Sequence, residues 1–156
     1  MPYREHVLRA AGLIAGGGSA PYGVTKHGVV ALSESLYLSL QQRNSLIKVS
    51  VLCPGMVRTN IINAERHRPA ELRNEPVAMT PERQAGLAAF KAALEGSMPP
   101  EQVADAAFDA IQTEQFYVLP HREWTEAIRL RMDKLLQMEN PQDPAATIMK
   151  FINRRE

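Results

Sequence analysis

Tyr22 and Lys26 stand four residues apart at the head of an apolar-striped segment, and a Pro54-Gly55-Met56-Val57-Arg58-Thr59 run follows a strand-like stretch. On a helix, positions i and i+4 share a face, so the phenol and the ammonium project into the same space. An ammonium beside a phenol favours the phenolate, which eases movement of a proton between that hydroxyl and a substrate oxygen near neutral pH. A bare Tyr-x-x-x-Lys is equally what a surface tyrosine and a solvated lysine look like, so its meaning depends on its surroundings. The same holds for Pro54-Gly55, which ends a strand with a plain turn or lets backbone approach a ligand closely.

The elements that would carry these residues are legible in part. A helix is expected from Ser19, a capping serine followed by Pro21, through Val24, Val29, Leu32, Leu36 and Leu40 to a stop near Asn44. Ile47, Val49 and Val51 alternate with Lys48 and Ser50 and lead into Leu52-Cys53, a short strand closed by Pro54-Gly55. The polar, proline-punctuated stretch from Thr59 to Met79 reads as a mobile lid with at most a brief helix around Ile61 to Arg66. Thr80-Pro81-Glu82 caps a helix bearing Leu87, Phe90 and Leu94 that stops at Gly96. Pro99-Pro100-Glu101 opens another, whose narrow face of Val103, Ala106, Ala107, Ala110 and Ile111 can lie close to a sheet. Phe116 to Leu119 is a second strand. Trp124, Ile128, Met132, Leu135 and Leu136 mark an amphipathic helix, and Ala145 to Ile152 a short terminal one. Residues 1–18 carry no clean period and read as an irregular leader.

This order belongs to an α/β layout with a parallel sheet. It is expected as one partial domain over 1–156, made of the leader, a catalytic helix, strand and cofactor loop (19–59), a lid and helix (60–98), and C-terminal helices with the last strand (99–156). Two parallel strands cannot stand alone, because they need both faces covered and several neighbours. Further strands are therefore expected from outside this sequence.

Composition narrows the class. With 156 residues and 45% hydrophobic content the chain can build one real core. Eighteen Lys and Arg against 17 Asp and Glu give a net charge of +1, so no overall field gathers nucleic acid or anionic lipid, and the partner is expected to be a small molecule or another protein. A single cysteine, Cys53, excludes an internal disulfide framework and suits a reducing cytoplasm. His6, His27, His67 and His121 are scattered without a second ligand at metal-site spacing and read as surface or packing residues. The apolar run Ala10 to Ala15 is too short to span a bilayer, so no membrane partner is expected.

The stretch from Ala11-Gly12-Leu13 through Tyr22-Gly23-Val24-Thr25-Lys26 to Leu36, and then Val49 through Pro54-Gly55-Met56-Val57-Arg58-Thr59, resembles the short-chain dehydrogenase/reductase family. The match is specific from about Ala10 to Thr59 and continues weakly to about Pro141. The resemblance implies the C-terminal portion of a doubly wound, Rossmann-like parallel sheet with flanking helices. It also implies hydride transfer between NAD or NADP and an alcohol or carbonyl substrate. Tyr22 would be the proton donor or acceptor at the substrate oxygen. Lys26 would lower the tyrosine's pKa and hold the nicotinamide ribose hydroxyls. Pro54, Gly55, Val57 and Thr59 would line the nicotinamide end, and assembly through the tyrosine-bearing helix implies a homo-oligomer.

The departures from the family carry equal information. Only 21 residues precede Tyr22, where the family has a glycine-rich phosphate loop and several βα units, so the nucleotide half is expected to be missing and the chain alone to be inactive. The family's catalytic serine falls on Arg9, and its relay asparagine has no counterpart. Gly12, Gly16 and Gly18 imitate the G-x-x-x-G-x-G phosphate loop, but a cradle needs a buried strand before it and a free helix N-terminus after it. Tyr3 to Arg9 offers no such strand, so a plain loop is expected there. A non-catalytic module that pairs with a full-length homologue is the alternative, because a helix deprived of its usual neighbours exposes apolar surface. Arg66, Arg68 and Arg73 read as solvated loop residues.

Overall fold

A computed structural model describes residues 3–7, 12–16, 20–73, 78–144 and 146–148. They fall into two compact units, Met1–Gly55 with Ala104–Glu156, and Met56–Val103.

The first unit holds the sheet. Strands β1 (Tyr3–Val7), β2 (Lys48–Leu52) and β3 (Tyr117–Val118) lie in the order β1-β2-β3, and both pairings are parallel. The register sets Tyr3 beside Lys48 and Val7 beside Leu52 on one side, and Leu52 beside Val118 on the other. Val49, Ser50, Val51 and Leu52 are all buried, as a parallel strand covered on both faces requires. Ser50 meets that burial by donating its hydroxyl to the Gln115 carbonyl at 2.5 Å.

β1 corrects the expectation of an irregular leader over 1–18. Arg4, Glu5 and His6 give it no apolar alternation, so its period carries no signal. Its strand character comes from main-chain pairing with β2, a partner more than forty residues away.

Helix α1 (Ala20–Gln42) spans the expected range, with Ser19 and Arg9 outside the described residues. It stops where Asn44 takes a left-handed turn (φ 50°) and the Ser45 N–H bonds to the Leu40 carbonyl. The buried face is not the expected stripe. Val30 and Ser33 are buried, while Val24 is 71% and Leu32 60% exposed. The seat against the sheet and the loop before α1 is tight enough to select small side chains. An ideal Cβ on Gly12 would lie 2.8 Å from both the Lys26 carbonyl oxygen and Val30 Cγ2. Ser33 fits because its hydroxyl donates to the Val29 carbonyl at 2.8 Å, which leaves no unmet polar group. Val30, Val51 and Cys53 form a buried cluster with Leu13, Val29, Phe116 and Leu119 against it.

The far end of α1 is tied to the last strand. Tyr37 meets Phe116 with its ring tilted by 55° and 4.9 Å between centroids, and the Tyr117 hydroxyl donates to Glu34 at 2.6 Å. Helix α4 (Thr125–Leu136) buries Ala127, whereas Met132, Leu135 and Leu136 of its expected stripe are exposed. Of the expected terminal helix, residues 146–148 are helical and the rest lies outside the described residues.

In the second unit, 3-10 turns Asn60–His67 and Ala70–Leu72 follow Thr59, and Arg66 donates to the carbonyls of Asn60 and Asn63 at 2.9 Å each. Helix α2 (Pro81–Glu95) begins as expected, with the Thr80 hydroxyl accepting the Arg83 N–H at 3.3 Å. Helix α3 (Pro100–Gln112) begins in this unit and continues into the first from Ala104, burying Val103, Ala107 and Ala110, three of the small-residue positions expected to face inward.

Candidate active site

In a parallel α/β sheet the loops that leave the carboxyl ends of the strands gather at one edge, and ligands bind there. α1 follows β1 in the chain, and its Val30 packs with Cys53 at the carboxyl end of β2, which sets the first turns of α1 towards that edge. β2 runs directly into Cys53-Pro54-Gly55. Val30 and Cys53 share the buried cluster, one turn beyond Lys26 and one residue before Pro54.

The helix brings Tyr22 and Lys26 together. The Lys26 ammonium sits over the Tyr22 ring, 5.5 Å from its centroid, and both residues are half-buried. Gly12 against the Lys26 carbonyl fixes the main chain that carries this pair.

Pro54 and Gly55 are both buried, and the Gly55 N–H donates to His121 Nδ1 at 3.0 Å. An ideal Cβ on Gly55 would lie 2.7 Å from Trp124 Nε1 and 3.0 Å from His121 Cδ2, so only glycine fits this turn. Cys53, beneath it, is 1% exposed, and burial pushes its thiol up to about 11. Val57 and Thr59 belong to the second unit. There Val57 bridges to Met98 with the Arg58 N–H bonded to the Met98 carbonyl at 2.9 Å, and Thr59 is extended and exposed.

His121 and Trp124 are the residues sequence reasoning missed. His121 follows Pro120 at the end of β3, and β3 lies beside β2. Adjacency of the two carboxyl-end loops was the signal available, once the strand order was known. Gly12 behaves differently from its motif reading: a strand does precede it, yet it packs against the middle of α1 and not at the helix N-terminus. It is a packing glycine. Among the described residues no group of three or more His, Cys, Asp or Glu side chains could hold a metal ion. None of the six motif residues lines the cavity of about 340 Å³ bounded by Ile14, Ala15, helix α4 and the tail from Glu139 to Pro144.

Chemistry gathered at the carboxyl edge of a parallel sheet with flanking helices defines part of a doubly wound, Rossmann-like fold. Known proteins agree. The sequence model of the short chain dehydrogenase family matches residues 7–70. A "CLA biosynthesis dehydrogenase/reductase" of Lactiplantibacillus plantarum is 29% identical over 133 residues, covering 84% of this chain and 46% of that protein. A 1-deoxy-11-beta-hydroxypentalenate dehydrogenase of Streptomyces exfoliatus is 29% identical over 126 residues, 81% of this chain and 37% of its own. In structure, a short chain dehydrogenase/reductase from Burkholderia phymatum, solved in complex with NAD, superposes with a TM-score of 0.78 and 34% identity over 91% of this chain and 50% of that one. The chain is thus similar to the short-chain dehydrogenase/reductase family in sequence over residues 7–70 and in fold over most of its length, and it spans about half the length of the relatives it matches.

Proposed function

We propose that this chain carries the proton-transfer and nicotinamide-facing half of an NAD(P)-dependent oxidoreductase acting on an alcohol or carbonyl. The observation that supports it best is the Lys26 ammonium over the Tyr22 ring, 5.5 Å from its centroid, at the edge where β2 ends in Pro54-Gly55. The donor set suits the nicotinamide end of such a cofactor, with one hydroxyl, one ammonium and a main-chain turn without a projecting side chain. When bound, the cofactor supplies or accepts the hydride. The charge on a substrate oxygen changes as hydride moves at its carbon, and Tyr22 gives or takes the proton that compensates. Lys26 stabilises the anion the phenol becomes and offers a donor to ribose hydroxyls. Pro54 and Gly55 line the ring's side of the site. The packing role of Gly12 supports placing the pyrophosphate site outside these residues, and tight dinucleotide binding then needs the part of the fold the relatives have in addition.

In any assembly in which this chain turns over substrate, Tyr22→Phe keeps the ring and removes the transferable proton. Turnover falls by about 10²- to 10⁴-fold. Undiminished turnover would reject the role of Tyr22. A second reading, a module that pairs with another copy or a longer homologue, is favoured by Val24, Leu32 and Leu38 standing exposed along α1. Sedimentation of the purified chain separates the two, since a well-behaved monomer argues against pairing.

A further inference from the structure

We propose that His121 and Trp124 are positioning residues for the Pro54-Gly55 turn: the imidazole holds its main chain and the indole closes over its α-carbon. This rests on the reading of that turn as the nicotinamide-facing wall. Both residues come from the loop after β3, the strand paired with β2, so two neighbouring carboxyl-end loops are locked to each other. His121 is 6% exposed, and its Nδ1 accepts the Gly55 N–H at 3.0 Å. An acceptor nitrogen carries no proton, so the geometry assigns the neutral ring its hydrogen on Nε2. Trp124 supplies the second restraint, with Nε1 and Cε2 at 2.7 and 2.8 Å from where a Gly55 Cβ would stand. Neither residue has a place in the Tyr22 and Lys26 chemistry. Their effect is to fix the wall relative to the sheet, and misplacement of a binding surface by about 1 Å is enough to cost catalysis heavily.

Nitrogen NMR of the wild-type chain tests the assignment without any substitution. His121 Nδ1 should resonate as an unprotonated nitrogen and Nε2 as a protonated one, and the reverse tautomer would overturn the proposal. His121→Phe fills the space without an acceptor. It should speed hydrogen exchange at the Gly55 amide by about tenfold, the value of one buried hydrogen bond, and weaken binding of reduced nicotinamide mononucleotide. His121→Asn places an amide oxygen near the Nδ1 position and should recover part of both effects. Unchanged Gly55 exchange in the Phe variant, or an Asn variant no better than Phe, overturns the positioning role. If the Phe variant does not fold, the tautomer and the Gly55 exchange of the Asn variant decide. If the wild-type chain shows no response to the mononucleotide, the reading of the wall fails, while Gly55 exchange still judges the clamp.

Discussion

Alanine at Gly12 and alanine at Gly28 should move stability in opposite directions. At Gly12 the added methyl would stand 2.8 Å from the Lys26 carbonyl oxygen and from Val30 Cγ2, short of ordinary contact by about 0.6 Å. The carbonyl is helix backbone and Val30 is buried, so neither can swing aside, and α1 must lift from its seat. Overpacking of this kind costs about 1–3 kcal/mol, offset by about 0.4–1 kcal/mol from the stiffer unfolded chain. The net loss is about 1–2 kcal/mol. Gly28 is exposed within α1 with nothing within 4 Å of its added methyl, so there only the helix preference acts, a gain of about 0.5–1 kcal/mol. For a chain of this size about 2–4 °C accompanies each kcal/mol, so melting followed by circular dichroism should show Gly12→Ala lower by about 2–8 °C and Gly28→Ala higher by about 1–4 °C. Shifts of the same sign in both variants would refute the seating of α1 on the Gly12 loop.

Tyr117 should titrate late. Its hydrogen bond to Glu34, then burial, holds the phenol up to about 12 against an ordinary 10. Because the folded group keeps its proton longer than the unfolded one, its contribution to stability is present below about pH 10 and lost as pH rises towards 12. Phenolate absorbance should show one late tyrosine that returns towards the ordinary range in Glu34→Gln. Cys53, buried and with its thiol up at about 11, should react with a thiol reagent at mildly alkaline pH only as fast as the structure opens; rapid labelling of the native chain would contradict its burial. Thr80→Ala removes the hydroxyl that accepts the Arg83 N–H and should cost about 0.5–1 kcal/mol in denaturant unfolding, read as a lower midpoint at an unchanged slope.

What could be read from the chain followed from how local each signal is. Pro81 after Thr80, the Asn44 stop and the Val103, Ala107, Ala110 face are set by residues within a turn or two of one another, and the structure has them where the pattern puts them. The pairing of Tyr22 with Lys26 is local in the same sense, one helical turn. β1 was illegible because its strand character comes from β2 and not from its own residues. The inward face of α1 differs from the leucine stripe for a related reason: Val30 is seated against Gly12, a constraint in three dimensions that spacing along the chain does not carry. His121 and Trp124 reach Gly55 across 66 and 69 positions, and nothing in spacing alone links them.

We propose that the described residues of this chain hold a nicotinamide-end site built on Tyr22, Lys26 and the Gly55 turn, with the pyrophosphate held outside them. Titration of the isotopically labelled chain with reduced nicotinamide mononucleotide and, separately, with NADH tests it directly. Both ligands should bind weakly and with similar strength, with shifts at Tyr22, Lys26 and Gly55. Shifts that leave those three residues untouched, or NADH binding far tighter than the mononucleotide, would contradict it.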